Sequence, residues 1–166
     1  MFSIGDYIIY GGTGACRVEN IGPLSGSKDN RQYYSLAPVY GACAITVPVD
    51  SQKIFMRPVI SREEANRVID LIPTIHPQAY HNRVLRQLSE HYEQAIKSYD
   101  CEELLRLVMS IYTKKQEMEA EKRHFGAVDE RYMMRGEELL HGELAVALGI
   151  DVGEVKPYIR SRLKSL

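Results

Sequence analysis

The alphabet of the chain changes at one place, Arg57-Pro58-Val59-Ile60-Ser61, and that change limits the architecture before any single residue is weighed. Ahead of it lie short runs rich in Val, Ile, Tyr and Gly: Tyr7 to Tyr10, Ala15 to Ile21, Gln32 to Val39, Ala42 to Val49 and Lys53 to Arg57. Gly11-Gly12-Thr13-Gly14, the polar stretch Gly22 to Asn30, Gly41 and Asp50-Ser51-Gln52 separate them, each able to turn the chain. Runs of this kind at this spacing predict five strands of a small antiparallel barrel over residues 1–60. A unit of some sixty residues hides only about 60% of its unfolded surface, so it should lean on the rest of the chain.

Behind the change the apolar residues recur at helical spacing over residues 61–166. Ser61 with Glu64 has the spacing of a capping box, and Ala65, Val68, Ile69 and Ile72 predict a helix from about 62 that Pro73 and Pro77 stop. A second helix is expected over Ala79 to Ser98, with Val84, Leu85, Leu88, Tyr92, Ala95 and Ile96 buried. Asp100 and Glu103 open a third, with Leu104, Leu107, Val108, Ile111, Tyr112 and Met118 as its stripe and Lys114-Lys115 and Lys122-Arg123 favoured by the dipole of its last turns. Asp129 is expected to cap a fourth, running through Tyr132, Met133, Leu140, Leu144, Ala147 and Leu148 to Gly149. The last helix, with Val152, Val155, Ile159, Leu163 and Leu166 on one face, is expected from about 157 because of Pro157. The fold class is therefore α+β: a five-stranded β-barrel followed by a compact all-α domain of about five helices.

Charge and composition remove several functions. Among 166 residues, 21 Lys and Arg stand against 22 Asp and Glu, so no global field attracts nucleic acid and any charged function is local. Neither a long apolar span nor a signal peptide is found, which predicts no membrane partner and a cytoplasmic location. Cys16, Cys43 and Cys101 include no C-x-x-C pair and are expected to be reduced and mostly buried. His76, His81, His91, His124 and His141 show no H-x-x-x-H spacing and are expected to be solvated, so neither metal nor cofactor is predicted. The glycine cluster lacks the Lys-Ser/Thr of a phosphate loop and reads as a hairpin turn. No nucleophile stands beside a recognisable base, so no catalytic residue, small-molecule substrate or enzymatic activity is expected. The local positive features are Lys156, Arg160 and Lys164, four residues apart on one helical face with Arg162 nearby, and the pair Arg83 and Arg86; solvated helix faces are the alternative.

The opening Ile4-Gly5-Asp6-Tyr7-Ile8-Ile9-Tyr10 through Gly14-Ala15-Cys16-Arg17-Val18-Glu19-Asn20-Ile21 resembles the start of the CarD family of bacterial transcription regulators. Tyr33-Tyr34-Ser35-Leu36, Ile45-Thr46-Val47-Pro48-Val49-Asp50, Met56-Arg57-Pro58-Val59-Ile60-Ser61, Asp129 to Met133 and Glu138-Leu139-Leu140-His141-Gly142-Glu143-Leu144-Ala145-Val146-Ala147 fall in family order. The resemblance implies a Tudor-like (SH3-like) barrel that docks on the RNA polymerase β subunit and a helical domain that touches promoter DNA at the edge of the melted region. It would also associate the protein with the nucleoid through polymerase. The polymerase-binding edge it implies is Cys43, Ala44, Ile45, Thr46 and Val47, with Thr46 standing where many relatives have a basic residue. Relatives carry a Trp followed by a basic cluster; this chain has no Trp. Aligned without gaps, the Trp position is Leu85, followed by Gln87-Leu88-Ser89-Glu90; a shift of a few residues brings Tyr80, Arg83 and Arg86 there instead. The DNA-binding candidates are these, Tyr80, Arg83, Leu85 and Arg86, together with Lys156, Arg160 and Lys164. An adapter that binds protein alone is the competing reading.

Overall fold

The computed structural model describes residues 1–165; Leu166, expected on the apolar face of the last helix, lies outside them. Five strands form one antiparallel sheet: β1 (Tyr7–Tyr10), β2 (Gly14–Pro23), β3 (Gln32–Pro38), β4 (Ile45–Pro48) and β5 (Met56–Pro58). The order across the sheet is β4-β3-β2-β1-β5, and the outer strands β4 and β5 are not paired with each other. Alternation sorts the side chains. Ile8, Cys16, Val18, Tyr34, Leu36 and Val47 form the core of the β domain on one face. Ile9 and Ala15, equally buried, point to the other. A register shift between Val18 and Asn20 bends β2.

The Gly11-Gly12-Thr13-Gly14 hairpin is a short 3₁₀ turn, Gly11–Thr13, that brings β2 under the helices. Gly14 adopts φ +86°, which favours glycine, and a Cβ there would stand 2.8 Å from Leu139 Cδ2, so a larger residue would also have to displace that side chain.

Five helices follow: α1 (Arg62–Asp70), α2 (Leu85–Ile96), α3 (Cys101–Ala120), α4 (Ala127–Leu148) and α5 (Val155–Lys164). The Ser61 hydroxyl caps α1 by accepting from the Glu64 amide at 3.1 Å, and Asp100 caps α3 through the Glu103 amide at 3.2 Å. Gly149 ends α4 in the left-handed conformation. The core holds Val68, Ile69, Leu88, Tyr92, Ile96, Leu104, Ile111, Leu140, Leu144, Leu148 and Val155, with α4 as the element touching both this core and the sheet.

Several expectations are corrected. The second helix begins at Leu85 rather than Ala79, because residues 75–84 are held in an irregular path: the Ser110 hydroxyl donates to the Gln78 carbonyl at 2.6 Å and Tyr80 stacks on His91. Val84 and Leu85 are therefore 50% and 61% exposed instead of buried. Tyr112, placed on the buried stripe, is also exposed. The cap of α4 is Gly126, not Asp129, whose carboxylate turns inward. Lys114 is buried against it rather than solvated at a helix end, and α3 stops at Ala120, before Lys122 and Arg123. The final helix starts at Val155, with Pro157 in its first turn, where a missing N–H costs no helical hydrogen bond. It follows a 3₁₀ turn, Val152–Glu154, in which Asp151 and Glu154 cap each other. Ala42, Cys43 and Ala44 lie outside the strand in which they were expected.

Candidate functional site

The first surface is the outer rim of β4. This strand pairs only with β3, in the register Tyr33↔Pro48, Tyr34↔Val47, Ser35↔Thr46 and Leu36↔Ile45. The Val49 amide donates to the Gln32 carbonyl at 3.0 Å, which sets the alternation of bonded and non-bonded pairs along the ladder. Val47 and Ile45 thus bond to β3, whereas the N–H and C=O of Thr46 face outward. Pro48 offers no N–H, and its carbonyl accepts from the Ser51 amide at 3.0 Å, so the turn closes that end of the rim. The predicted contact residues divide accordingly. Val47 is buried in the β-domain core and Ile45 packs half-buried against it, while Cys43, Ala44 and Thr46 are exposed. What this edge presents is main chain at Thr46 with a small polar side chain between two inward apolar ones.

The second surface surrounds the start of α2. Val84 and Leu85 project from it, and Arg83 is exposed just ahead of them. Arg86 points into solvent, 3.5 Å from Glu90. Leu85 and Arg83 form one lip of a groove of about 540 Å³ whose other wall is the end of α3 and the start of α4, with Met118, Arg123, His124 and Gly126. Its floor holds a buried polar group. Asp129 Oδ1 accepts from Lys114 Nζ at 2.9 Å and from the Tyr92 hydroxyl at 2.6 Å, tying α3, α2 and α4 together at one oxygen. A carboxylate tempers one cation of the groove, Glu121 holding Arg123 at 3.1 Å, and Glu117 stands 3.7 Å from the His81 ring. Tyr80 is half-buried, its ring 3.6 Å from that of His91 and its hydroxyl accepting from Asn82 at 3.2 Å, so it supports the approach to α2 rather than projecting from it.

The α5 candidates are elsewhere. Lys156, Arg160 and Lys164 are exposed, with Lys156 3.9 Å from Glu137, and none lines the groove. Arg162 is committed to Asp70, with bonds of 2.7 and 2.9 Å that pin α5 to α1. The structure thus gathers Arg83, Leu85 and Arg86 at one place and leaves the lysine face as a separate surface.

Sequence reasoning missed Arg123 and His124 as groove residues, since they follow the end of α3 and belong to no periodic face. It also missed two histidines with protein surroundings. Burial pushes His91, under Tyr80, and His141, on α4, below the usual histidine range. Burial raises the Cys16 thiol to about 11 and that of Cys101 further, which makes both poor nucleophiles, while Cys43 is exposed. Among the described residues no three His, Cys, Asp or Glu side chains are placed to hold a metal ion, and no helix is long and apolar enough to cross a membrane.

Comparison with known families adds one finding, and it falls on the β domain as a whole. A family model described as the CarD-like/TRCF RID domain matches residues 2–60, a span that takes in all five strands and ends just before α1. The β domain with its open β4 rim is therefore a CarD-like/TRCF RID domain, and the protein that carries it is RNA polymerase-interacting and transcription-related.

Proposed function

We propose that the protein is a non-enzymatic transcription regulator that docks on the β-subunit lobe of RNA polymerase through the β4 rim and adjusts the stability of the open promoter complex through its helical domain. The observation that carries this reading is the unpaired edge at Thr46 within a CarD-like/TRCF RID domain. An edge strand whose outward N–H and C=O are free extends a partner's sheet by main-chain bonds, and its side chains select the partner. With Ile45 and Val47 committed to the core, the partner meets main chain first, which suits the loss of a basic side chain at Thr46.

The helical domain contributes through α2. Leu85, exposed and at the family's Trp position in the ungapped alignment, is an aliphatic wedge, and Arg83 and Arg86 flank it as phosphate contacts. Such a factor works by differential affinity: binding the open complex about tenfold better than the closed one moves that equilibrium by about 1.4 kcal/mol. No bond is made or broken. The place of action that follows is the cytoplasm, at the nucleoid.

Thr46→Pro tests the docking. It deletes the outward N–H, leaves the β3 ladder intact and is tolerated on an edge strand, so retention by the isolated β lobe should fall at least about tenfold with the fold unchanged. Unaltered retention would remove the β4 rim from the interface. The carboxylates beside Arg86 and Arg123 favour the competing adapter reading, in which DNA is not touched. Titration of forked promoter DNA against salt separates the two. Phosphate contacts make affinity fall as salt rises, and Arg83→Ala should reduce the slope by about one. Absence of binding at low salt selects the adapter.

A further inference from the structure

Between β5 and α1 the chain has only Val59, Ile60 and Ser61, and the residue before them does more than complete a strand. Arg57 sends its guanidinium from the helix-facing side of β5 into α4. Its Nη1 and Nη2 donate to the Oε2 and Oε1 of Glu143 at 2.5 and 2.8 Å, a two-pronged pairing that fixes direction as well as distance. Nε donates to the Tyr99 carbonyl at 2.9 Å, in the turn between α2 and α3, and Nη1 also donates to the Pro58 carbonyl. Glu143 is only 1% exposed, and its Oε2 takes a third bond from the Ile60 amide at 3.1 Å, so the same carboxylate holds the connection itself. Tyr99 lies at φ +53° and stacks its ring on Phe55, centroids 4.7 Å apart. One guanidinium thus joins β5, the α2–α3 turn and the C-terminal third of α4, leaving the connecting residues no freedom to act as a hinge.

We propose that Arg57 and Glu143 are positioning residues that lock the angle between the β domain and the helices, so that docking of one carries the other to a fixed place. The lock stands on the geometry alone; its consequence for transcription rests on the function proposed above. Neither residue needs to touch polymerase or DNA. Glu143→Gln removes the charge from a buried site that Arg57 still faces, and Arg57→Lys keeps the charge while losing the fork and the bond to Tyr99.

The test measures the distance between the two halves of the full chain. Nitroxide labels at Lys28→Cys, in an exposed turn of the β domain, and Ser161→Cys, on the solvent side of α5, with Cys43→Ser to keep labelling specific, report it by electron–electron resonance. Expected is one narrow distribution in the otherwise native chain and a broad one in Glu143→Gln and in Arg57→Lys. An equally narrow distribution in a folded variant overturns the lock. Should the variants fail to fold, ¹⁵N relaxation of the unaltered protein decides: a common correlation time for both halves supports the proposal, and separate values overturn it. In function, Glu143→Gln should keep its affinity for DNA alone within about twofold while its effect on polymerase falls about tenfold. Loss of polymerase effect in the unaltered protein would sink the transcriptional reading and leave the distance measurement to judge the lock.

Discussion

Asp129 shows how a residue's surroundings replace the role its sequence position suggests. It lies in the first turn of α4, where a carboxylate ordinarily caps or solvates, yet its Oδ1 receives both Lys114 and the Tyr92 hydroxyl inside the protein. Lys114 and Asp129 are each within a few per cent of full burial, so neither retains water to replace a lost partner. Removing one partner of a buried pair is more damaging than never having had the pair, because the remaining charge stays dehydrated. Asp129→Ala is expected to cost about 3–5 kcal/mol by this mechanism. Tyr92→Phe, which deletes a donor but leaves the pair, should cost about 1–3 kcal/mol. Urea denaturation of the two variants measures both, and a loss below 1 kcal/mol for Asp129→Ala would show that water reaches Lys114. Because these groups form the floor under Leu85, Asp129→Ala should also weaken the groove's hold on α2.

Among the elements, α4 and the start of α2 mark the boundary of what the sequence makes legible. Strands and turns were readable because glycine and proline punctuate them and alternation separates inner from outer faces, as at Ile8 and Ile9. Most helices were readable from their caps and period. Val84 and Leu85 were not, since apolar periodicity counts residue types and has no means of telling that nothing covers the first turn. Glu143 and Lys114 failed for the converse reason: pattern assigns charge to solvent, and their partners stand 86 and 15 residues away. Within the candidate site, the rim could be located through the family motif, but which of its backbone groups face outward depends on register. α4 carries a further test through His141. Burial holds this imidazole below its ordinary value, with Glu137 pulling it up and Lys156 pushing it down, and burial does the same to His91 on α2. Both are therefore neutral in the folded protein at pH values where the unfolded chain is already protonated. Their contribution is complete above about pH 6.5 and is lost as pH falls from there toward their folded values. Thermal unfolding should show a melting temperature that declines as pH falls below about 6.5, and His91→Gln with His141→Gln should flatten it. Further down, Asp70, held below the usual carboxylate range by the hydrogen bond from Arg162, adds a second decline as it protonates and α5 loosens from α1.

At the scale of the molecule, the two halves share their stability. The β domain buries Ile9 and Ala15 on the side away from its own core, and the helices cover that side through Leu139 of α4. Deprived of this cover, a sixty-residue sheet would expose apolar area and leave Arg57 without its carboxylate. A domain of that size is marginal even when its surface is satisfied. The helices in turn would lose the three hydrogen bonds that Arg57 and Ile60 give Glu143 and uncover the apolar surface around Leu139. Neither half reaches a comfortable free-energy minimum alone, so opening one should open the other. Native-state hydrogen exchange therefore ought to give the amides of Ile8 and Val18 in the sheet and of Tyr92 and Leu144 in the helices the same opening free energy, to within about 1 kcal/mol. A fragment ending at Ile60 should show little cooperative structure by circular dichroism. Sheet amides that open several kcal/mol below the helical ones, with the fragment folding on its own, would mean that the β domain is a separate module carried by the helices, and that its stability owes nothing to α4.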